Sequence, residues 1–166
     1  MSLVVGKKGT GKTTLVRYLV KRFRGAVFIC DYLGEYNDLA SDRVYVRLWR
    51  SVDDFMAVAR AVWQAPANAQ KMVVLDEVEF LCLDKKQKEV IEFLYRLGRH
   101  RRIDIVSVSH RFYMIPVICR ALTDVFYLFR LSEPRDLAYL TGMVEPEDVE
   151  RIKVLPDFNY VVVKNF

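Results

Sequence analysis

The sequence predicts an α/β fold in which a mostly parallel central sheet is flanked by helices. Short, continuous apolar runs alternate with stretches of helical periodicity along the chain. Uninterrupted apolar strands are typical of parallel sheets that helices cover on both faces. Ligands of such sheets bind beyond the carboxyl ends of the strands, so polar residues that follow predicted strands should gather at one edge. Those residues are Gly6, Asp31, Asp76 and Ser109.

The individual elements follow from the apolar runs, the helical periodicities and the turn residues between them. The predicted strands span residues 2–5, 26–30, 44–49, 72–75, 103–108, 125–129 and 160–163. The predicted helices span residues 13–23, 85–98, 115–122, 134–140 and 145–155, and another lies between Ser51 and the loop 66–70. Ser51 and Asp54 have the spacing of a capping box. The inner side of the helix 85–98 is predicted to carry Val90, Ile91, Phe93, Leu94 and Leu97.

Length and composition limit the class of protein. The 166 residues suit a single domain, 1–166, and 52% hydrophobic with 28% charged residues allow both a core and a charged surface. The net charge of +5 favours a polyanionic partner, of which nucleic acid is the commonest. The three cysteines lack metal-ligand spacing. Since no signal peptide and no apolar run of membrane-spanning length are visible, we expect a cytoplasmic protein without a membrane span.

A glycine-rich segment follows the first predicted strand. Residues 6–13 read GKKGTGKT, which fits the Walker A pattern GxxxxGK[ST] between an apolar strand and a helical stretch. Glycines let backbone N–H groups curl around phosphate oxygens, and the start of the helix adds its positive dipole end. Lys12 is predicted to reach the β- and γ-phosphates of ATP, Thr13 to bind Mg²⁺, and Thr14 to lie beside the α-phosphate. The predicted ATP-binding residues are Gly6, Lys8, Gly9, Thr10, Gly11, Lys12, Thr13 and Thr14.

An acidic pair ends the apolar run 72–75. Asp76 is predicted to hold Mg²⁺ or a water bound to it, and Glu77 to orient and polarise the attacking water. The second carboxylate favours hydrolysis of ATP over transfer of phosphate to a small acceptor. Together with the glycine-rich loop, the pair predicts a Mg²⁺-dependent ATPase with a P-loop NTPase fold of the RecA/ASCE-like type, in which Lys12 and Glu77 are catalytic.

Polar residues also follow the predicted strand 103–108. Ser109 or His110 is predicted to contact the γ-phosphate or the attacking water. An ordinary strand-end histidine is the competing interpretation, and the residues themselves leave that choice open.

Three further segments carry a family resemblance. Residues 27–36 read VFICDYLGEY, a strand followed by D-x-x-G-E-Y, with Tyr32 where proline is common. Residues 98–102 read GRHRR and precede the strand that ends in Ser-His-Arg, where His110 stands in place of the usual glutamine; residues 129–136 read FRLSEPRD. With these segments and its Walker motifs the chain resembles the FtsK–HerA superfamily of DNA-pumping ATPases, and its short length resembles the viral genome-packaging ATPases.

The resemblance implies a ring of subunits, usually a hexamer, around double-stranded DNA, with ATP bound between neighbours. It implies that an arginine of one subunit reaches the phosphate of the next, and the finger candidates are Arg99, Arg101 and Arg102, of which Arg99 is favoured. It also favours His110 as a catalytic residue. A capsid or nuclease partner and, for a virus-encoded chain, action in the host cytoplasm are further implications. Since the chain leaves little room for additional domains, we expect a bare motor core.

Three other functions share part of this pattern. A protein-translocating or assembly ATPase would carry the same motifs. A small nucleoside or metabolite kinase would fit the length, although no arginine-bearing lid insertion is visible in the sequence. A nucleotide-binding regulator that hydrolyses ATP poorly would bind through the same glycine-rich loop.

Overall fold

Seven strands form one sheet in the part of the chain that the computed structural model describes, residues 1–164. Residues 165 and 166, the end of the predicted domain 1–166, lie outside the described residues. The strands are β1 (Ser2–Val5), β2 (Ala26–Asp31), β3 (Val44–Leu48), β4 (Lys71–Leu75), β5 (Ile103–Ser109), β6 (Val125–Leu128) and β7 (Val161–Lys164).

The strand order is β3-β2-β4-β5-β1-β6-β7, and all neighbouring strands are parallel except β6 and β7. This order confirms the predicted α/β fold with a mostly parallel sheet. Since β5 lies between β1 and β4, the loop after β5 stands between the glycine-rich loop and the acidic pair. β7 runs back along β6 and pairs Val161 with Leu128, so the loop before β7 lies at the carboxyl edge of the sheet.

Helices cover both faces of the sheet unequally. Within residues 1–164 the helices are α1 (Lys12–Arg22), α2 (Val52–Gln64), α3 (Val78–Leu81), α4 (Lys85–Leu97), α5 (Val117–Ala121), α6 (Pro134–Leu140) and α7 (Pro146–Val154). Short 3₁₀ turns lie at Asn37–Leu39 and Gly98–Arg101. The predicted cap of α2 is confirmed, because the Ser51 hydroxyl accepts a hydrogen bond from the Asp54 N–H. No helix among residues 1–164 is long and apolar enough to cross a membrane.

Alternate strand residues supply two hydrophobic cores, one on each face of the sheet. Leu3 and Val5 of β1 pack into the larger core, which is shared with α2 and α4, whereas Val4 packs into the core beneath α1. All three are fully buried. A buried Val or Leu side chain contributes about 1.5–3 kcal/mol relative to an exposed one, so the central position of β1 anchors the glycine-rich loop that follows it.

The inner side of α4 differs from the prediction at two positions. Phe93 and Leu97 are exposed, while Ile91, Leu94 and Tyr95 form the buried stripe. Tyr95 takes the inner position because its hydroxyl lies 2.8 Å from the Ser107 Oγ in the core, which satisfies its polar atom. Phe93 instead lies at the edge of the contact between α2 and α4, where its ring centroid is 4.8 Å from that of Trp63.

Candidate functional site

The carboxyl edge of the sheet carries a cleft of about 500 Å³, within the range of roughly 300–1,000 Å³ that small-molecule sites occupy. The cleft lies between the loop after β1, the segment after β2 and the acidic pair after β4. Its lining residues are Lys8, Gly9, Gly11, Lys12, Thr13, Thr14, Tyr32, Leu33, Glu35, Asp76, Glu77, Phe80, Val108, His110 and Phe158. Because β1, β2, β4 and β5 are parallel, Gly6, Asp31, Asp76 and Ser109 follow or end strands at the same edge of the sheet, as predicted, but of these four only Asp76 lines the cleft itself.

The glycine-rich loop after β1 is held by its own backbone and by neighbouring strands. The Gly6 N–H donates to the Ser109 carbonyl at 3.2 Å, and the Lys7 N–H donates to the Arg130 carbonyl at 3.0 Å. The Thr10 hydroxyl donates to the Lys7 carbonyl at 2.8 Å. Gly11 precedes α1 with φ of 104°, a left-handed conformation that favours glycine. The loop thus wraps around the start of α1, where the helix dipole favours anions.

The ammonium group of Lys12 lies inside this loop. It donates to the carbonyls of Gly6 at 2.7 Å and Lys7 at 3.0 Å, and only 6% of the residue is exposed. Burial lowers the pKa of Lys12 to about 8, although Glu77 and other carboxylates nearby act in the opposite direction. A phosphate oxygen bound here would replace the carbonyls as the partner of a preformed cation.

The segment after β2 brings a further carboxylate to the start of α1. The buried Asp31 carboxylate accepts hydrogen bonds from the N–H groups of Gly34, Glu35 and Tyr36 at 2.8, 3.1 and 3.0 Å. These bonds fold the D-x-x-G-E-Y segment into a tight loop, and the buried Tyr36 ring anchors it in the core beneath α1. As a result, Glu35 Oε2 accepts a hydrogen bond from the Thr13 hydroxyl at 2.7 Å.

The acidic pair after β4 faces the loop from the other side of the cleft. Burial and the neighbouring carboxylates of Glu77 and Asp31 raise the pKa of Asp76 to about 7. Glu77 has φ of 49°, a left-handed conformation that turns the chain sharply from β4 into α3. Its Oε2 atom is buried without a hydrogen-bond partner. A buried carboxylate oxygen of this kind is an available proton acceptor.

His110, which follows β5, connects the two sides of the cleft. Its Nε2 lies 2.6 Å from Glu77 Oε1, and its Nδ1 lies 2.9 Å from the Lys12 Nζ and 3.2 Å from the Gly6 carbonyl. These contacts fit the tautomer whose Nε2–H donates to Glu77 and whose Nδ1 accepts from Lys12. The hydrogen bond with Glu77 raises the pKa of His110. The buried Glu79 carboxylate accepts from the His110 backbone N–H at 2.7 Å and fixes the chain there.

The oxygen ligands in the cleft fit Mg²⁺. No group of three or more His, Cys, Asp or Glu side chains within residues 1–164 is arranged as a metal site made of protein alone. Mg²⁺ bound with phosphates needs only one or two protein ligands, because phosphate oxygens and water complete its octahedron. The Thr13 hydroxyl and the Asp76 carboxylate are ligands of that kind on opposite walls of the cleft. A cation between them would also offset the carboxylate repulsion that raises the pKa of Asp76.

The structure places most of the predicted residues in one region. Lys8, Gly9, Gly11, Lys12, Thr13, Thr14, Asp76, Glu77 and His110 line the cleft, and Gly6 and Thr10 hold the shape of the loop. Ser109 does not line it, since its hydroxyl bonds to the backbone of Arg111.

The arginines predicted as fingers lie at the opposite edge of the sheet, before β5. Arg99 forms an ion pair with Asp124, Arg101 donates to the Trp63 carbonyl, and Arg102 donates to the Asn68 carbonyl. None of the three therefore reaches the cleft of its own subunit, and action on a neighbouring subunit stays a prediction.

Sequence reasoning gave no role to three residues of the site. Glu35 belongs to the D-x-x-G-E-Y segment, so that pattern was the available signal for it. Glu79 follows the acidic pair by two residues, and only the fold shows that it holds the His110 backbone. Phe158 lies far from every motif in the sequence and reaches the glycine-rich loop because β7 is antiparallel to β6.

Comparison with known proteins gives a family match. The family described as "AAA domain" matches residues 1–114, more than two thirds of the chain and all of the cleft residues except Phe158. Comparison with curated protein sequences gives no match.

Several solved structures share the fold. B204, the DNA-packaging ATPase from Sulfolobus Turreted Icosahedral Virus, superposes with a TM-score of 0.83 at 19% identity, over 98% of this chain and 91% of that one. The genome packaging NTPase B204 from Sulfolobus turreted icosahedral virus 2, in complex with ATP-gammaS, gives 0.80 at 21% identity, over 99% and 91%. The cytoplasmic domain of the Thermomonospora curvata Type VII Secretion ATPase EccC gives 0.72 at 13% identity, over 99% of this chain and 24% of that one. At these identities the likeness shows a shared fold.

Proposed function

The chain belongs to the AAA domain family and is a P-loop ATPase, and we propose that it is a motor of the FtsK–HerA type that moves double-stranded DNA. The observation that carries the proposal is the contact chain from Glu77 through His110 to Lys12, which links the candidate base to the phosphate-binding lysine. Similarity to the B204 packaging ATPases over nearly the whole chain and the net charge of +5 support DNA as the moved polymer.

In the proposed mechanism Glu77 accepts a proton from the attacking water. One of its oxygens is held by His110, so the other, Oε2, has a fixed direction and a free lone pair. A positioned general base of this kind contributes about 10²–10⁴ in rate. Because a water-activating carboxylate occupies this position, the site favours hydrolysis over phosphoryl transfer to a small acceptor.

The phosphates are held by the loop and by α1. Lys12 binds the β- and γ-phosphates, Thr14 lies beside the α-phosphate, and the backbone N–H groups of the loop surround the anion. Thr13 and Asp76 would hold Mg²⁺, and Glu35, which accepts the hydrogen bond of the Thr13 hydroxyl, would orient that hydroxyl. When bound, the ion neutralises charge that develops on the phosphate oxygens.

His110 reports whether a γ-phosphate is present. In the structure the Lys12 ammonium donates to His110 Nδ1, and a γ-phosphate that engages Lys12 competes with this contact. Release of that contact changes the hydrogen bonding of His110 and, through Nε2, the orientation of Glu77. The proposed motor therefore couples phosphate binding to the position of its base.

The active unit is proposed to be a ring, namely the hexamer that the family resemblance implies, in which residues 1–166 of each subunit act as one ATPase domain. Arg99 of a neighbouring subunit is the proposed arginine finger, since stabilising charge on the transferred phosphoryl group is the function of such residues. Capsid or nuclease proteins are proposed as recruiting partners, and the cytoplasm, including that of an infected host, as the place of action.

The test is ATP hydrolysis by the purified chain with and without double-stranded DNA. A Lys12→Ala variant removes the phosphate-binding cation, and a Lys21→Ala variant, which removes an exposed lysine of the same helix, is the matched control. We expect turnover that rises with DNA, persists in the Lys21 variant and vanishes in the Lys12 variant. Turnover that DNA leaves unchanged would contradict a DNA motor.

The alternatives give different results in the same assay. A protein-moving ATPase, which the likeness to the EccC secretion ATPase supports, would be stimulated by a substrate polypeptide and not by DNA. Formation of ADP that depends on an added small acceptor would indicate a kinase. ATP binding without turnover under every condition would indicate a nucleotide-binding regulator.

A further inference from the structure

We propose that Phe158 is the stacking platform for the base of the bound nucleotide. This inference rests on the proposed nucleotide site and adds to it a residue that binds the base. The phosphate end of the cleft is polar, whereas Phe158 presents an exposed aromatic ring at its outer end.

Phe158 is fixed directly against the glycine-rich loop. Its backbone N–H donates to the Thr10 carbonyl at 2.8 Å. Its ring lies so close to Gly11 that a Cβ atom there would be 2.7 Å from Phe158 Cδ1. The ring is therefore held beside the start of α1, immediately before the threonines that are proposed to bind Mg²⁺ and the α-phosphate.

The loop that carries Phe158 is tied to the P-loop by Arg130. The Arg130 guanidinium donates to the Leu155 carbonyl at 3.2 Å and to the Asp157 carboxylate at 2.7 Å. The Arg130 carbonyl in turn accepts from the Lys7 N–H of the glycine-rich loop. One residue thus binds both loops, which fixes the distance between the phosphate cradle and the ring.

The exposure and conformation of Phe158 are unusual for a phenylalanine that serves packing alone. The residue is 67% exposed and has φ of 64°, which a side chain with a Cβ atom rarely adopts. Among residues 1–164 no other aromatic ring stacks on it. Strained backbone conformations cluster at ligand sites, and a ligand that covers the solvent-facing ring would remove its apolar surface from water.

Phe80, the other exposed phenylalanine of the cleft, suits this role less well. Its ring stacks on Tyr32 with centroids 5.2 Å apart, so one of its faces is already covered. It also follows the acidic pair, at the end of the cleft proposed for the γ-phosphate and the attacking water. The base leaves the polyphosphate from the α-phosphate end, where Thr14 and Phe158 lie.

The chemistry of the ring defines the class of ligand. Every nucleobase has a π-face, and stacking on an aromatic side chain tolerates different bases because it reads no hydrogen-bond pattern. Phe158 is therefore a platform for a nucleoside polyphosphate in general and contributes little to a choice between ATP and GTP.

The test compares a ligand that has a base with one that lacks it. ADP and inorganic tripolyphosphate are titrated into the wild type, into Phe158→Gly, and into Tyr18→Ala, which removes a similarly exposed ring from α1. Glycine is chosen because it accepts the positive φ of this position and keeps the loop conformation. We expect Phe158→Gly to weaken ADP binding by about 5- to 150-fold, the measured worth of one stacked base, and to leave tripolyphosphate binding and the Tyr18 variant unchanged.

A second variant measures contact between the base and residue 158 directly, which a purely structural role of Phe158 would not produce. In Phe158→Trp, ADP should quench the added indole fluorescence, whereas tripolyphosphate should not. Unchanged ADP affinity in Phe158→Gly would overturn the platform, and an equal loss for both ligands would show that the residue only supports the loop. If the wild type bound neither ligand, the proposed nucleotide site itself would fail, which is a separate outcome.

Discussion

The two ends of the cleft are built in different ways. At the phosphate end, Lys12, Asp76 and Glu77 are 6%, 3% and 5% exposed, and each is set by a short motif beside a buried strand. The rim of the cleft at Phe158 instead presents an apolar side chain, on a residue that is 67% exposed. One end is preorganised by buried polar contacts, and the other presents apolar surface to solvent.

This difference shows which part of the site is preorganised before a ligand binds. A buried charge is costly unless hydrogen-bond partners surround it. The buried Lys12 ammonium therefore depends on the Gly6 carbonyl and His110, which accept its hydrogen bonds before a ligand binds. Exposed apolar rings gain stability only when something covers them. We therefore expect variants at the phosphate end to change chemistry and pH dependence, and variants towards the rim to change binding and loop stability.

The largest expected effect is the loss of ATP hydrolysis in the variant Glu77→Gln. Glutamine keeps the shape of the side chain but cannot accept the proton of the attacking water, so turnover should fall by about 10²–10⁴ while ATP still binds. The measurement is single-turnover ATP hydrolysis beside equilibrium ATP binding. Glu89→Gln, which neutralises an exposed carboxylate on α4, is the control and should hydrolyse ATP normally. Normal turnover in the Glu77 variant would remove the main distinction between the two ends of the cleft.

A second effect is the pH dependence of stability without nucleotide. The pKa of Asp76 is about 7 in the folded chain and about 4 in an unfolded one. Between these values the folded chain keeps a proton that the unfolded chain has lost, so Asp76 makes the free energy of unfolding fall as pH rises from about 4 to 7. At about 1.4 kcal/mol per pKa unit the loss amounts to a few kcal/mol.

Urea unfolding of Asp76→Asn at pH 5 and pH 8 measures this contribution. Relative to the wild type, the variant should lose less stability between the two pH values and should be the more stable protein at pH 8. Asp53→Asn removes an exposed carboxylate of α2 and should follow the wild-type profile. If the free energy of unfolding changed equally with pH in the wild type and in the Asp76 variant, burial and repulsion would not raise the pKa of Asp76.

The same contrast explains how much could be predicted from the sequence. The positions of Lys12, Thr13, Asp76 and Glu77 in one cleft could be predicted, because glycine spacing and a strand-end acidic pair are local patterns with a chemical reason. Their roles stay predictions. Most strand and helix bounds agree with the prediction to within one or two residues, because buried parallel strands are continuous apolar runs.

The remaining features depend on contacts between distant segments. α3 spans only four residues, which is too short for a helical period to show. Glu35 reaches Thr13 only because the Asp31 carboxylate folds its loop, and Phe158 meets Gly11 only because β7 reverses along β6. Phe93 was predicted to face inward, since the periodicity did not show that the Tyr95 hydroxyl would find Ser107 in the core.

The third effect tests the contact between the two ends of the cleft. In Gly11→Ala the new Cβ atom meets both a left-handed φ of 104° and the Phe158 side chain at 2.7 Å, whereas in Gly9→Ala it meets only a positive φ of 80° and open space. Backbone strain costs about 1–2 kcal/mol and overpacking about 1–3 kcal/mol. Gly11→Ala should therefore destabilise the protein by roughly 2–5 kcal/mol and Gly9→Ala, which meets only the strain, by about 1–2 kcal/mol.

A double variant separates the two costs. Adding Phe158→Gly to Gly11→Ala removes the ring and should restore the part of the stability that overpacking took, about 1–3 kcal/mol in a urea-unfolding cycle. Strain from the positive φ of residue 11 should persist. Strict additivity of the two substitutions would mean that Phe158 does not press on the glycine-rich loop.

The smallest effect concerns the loop that carries Glu35. Asp31→Asn replaces a carboxylate that accepts three backbone N–H bonds, and its amide nitrogen cannot accept the one from Tyr36. The variant loses a charge-assisted hydrogen bond and leaves the Tyr36 N–H buried without an acceptor. Together these changes should lower the free energy of unfolding by about 1.5–3 kcal/mol. Because the loop then holds Glu35 less firmly against Thr13, the Mg²⁺ concentration needed for ATP hydrolysis should rise as well.

Asp38→Asn is the matched control for this loop. Asp38 lies in the following turn, is exposed, and pairs with Arg17 at the surface, where solvent screens the ion pair. Its substitution should therefore change the free energy of unfolding little and leave the Mg²⁺ requirement unchanged. If Asp31→Asn lost stability but kept the wild-type Mg²⁺ requirement, Glu35 would be a bystander of the loop, and the ligands of the ion would reduce to Thr13 and Asp76. A shift in both quantities would instead extend the preorganised phosphate end to the D-x-x-G-E-Y segment, since a buried carboxylate in β2 would then control a hydroxyl on α1.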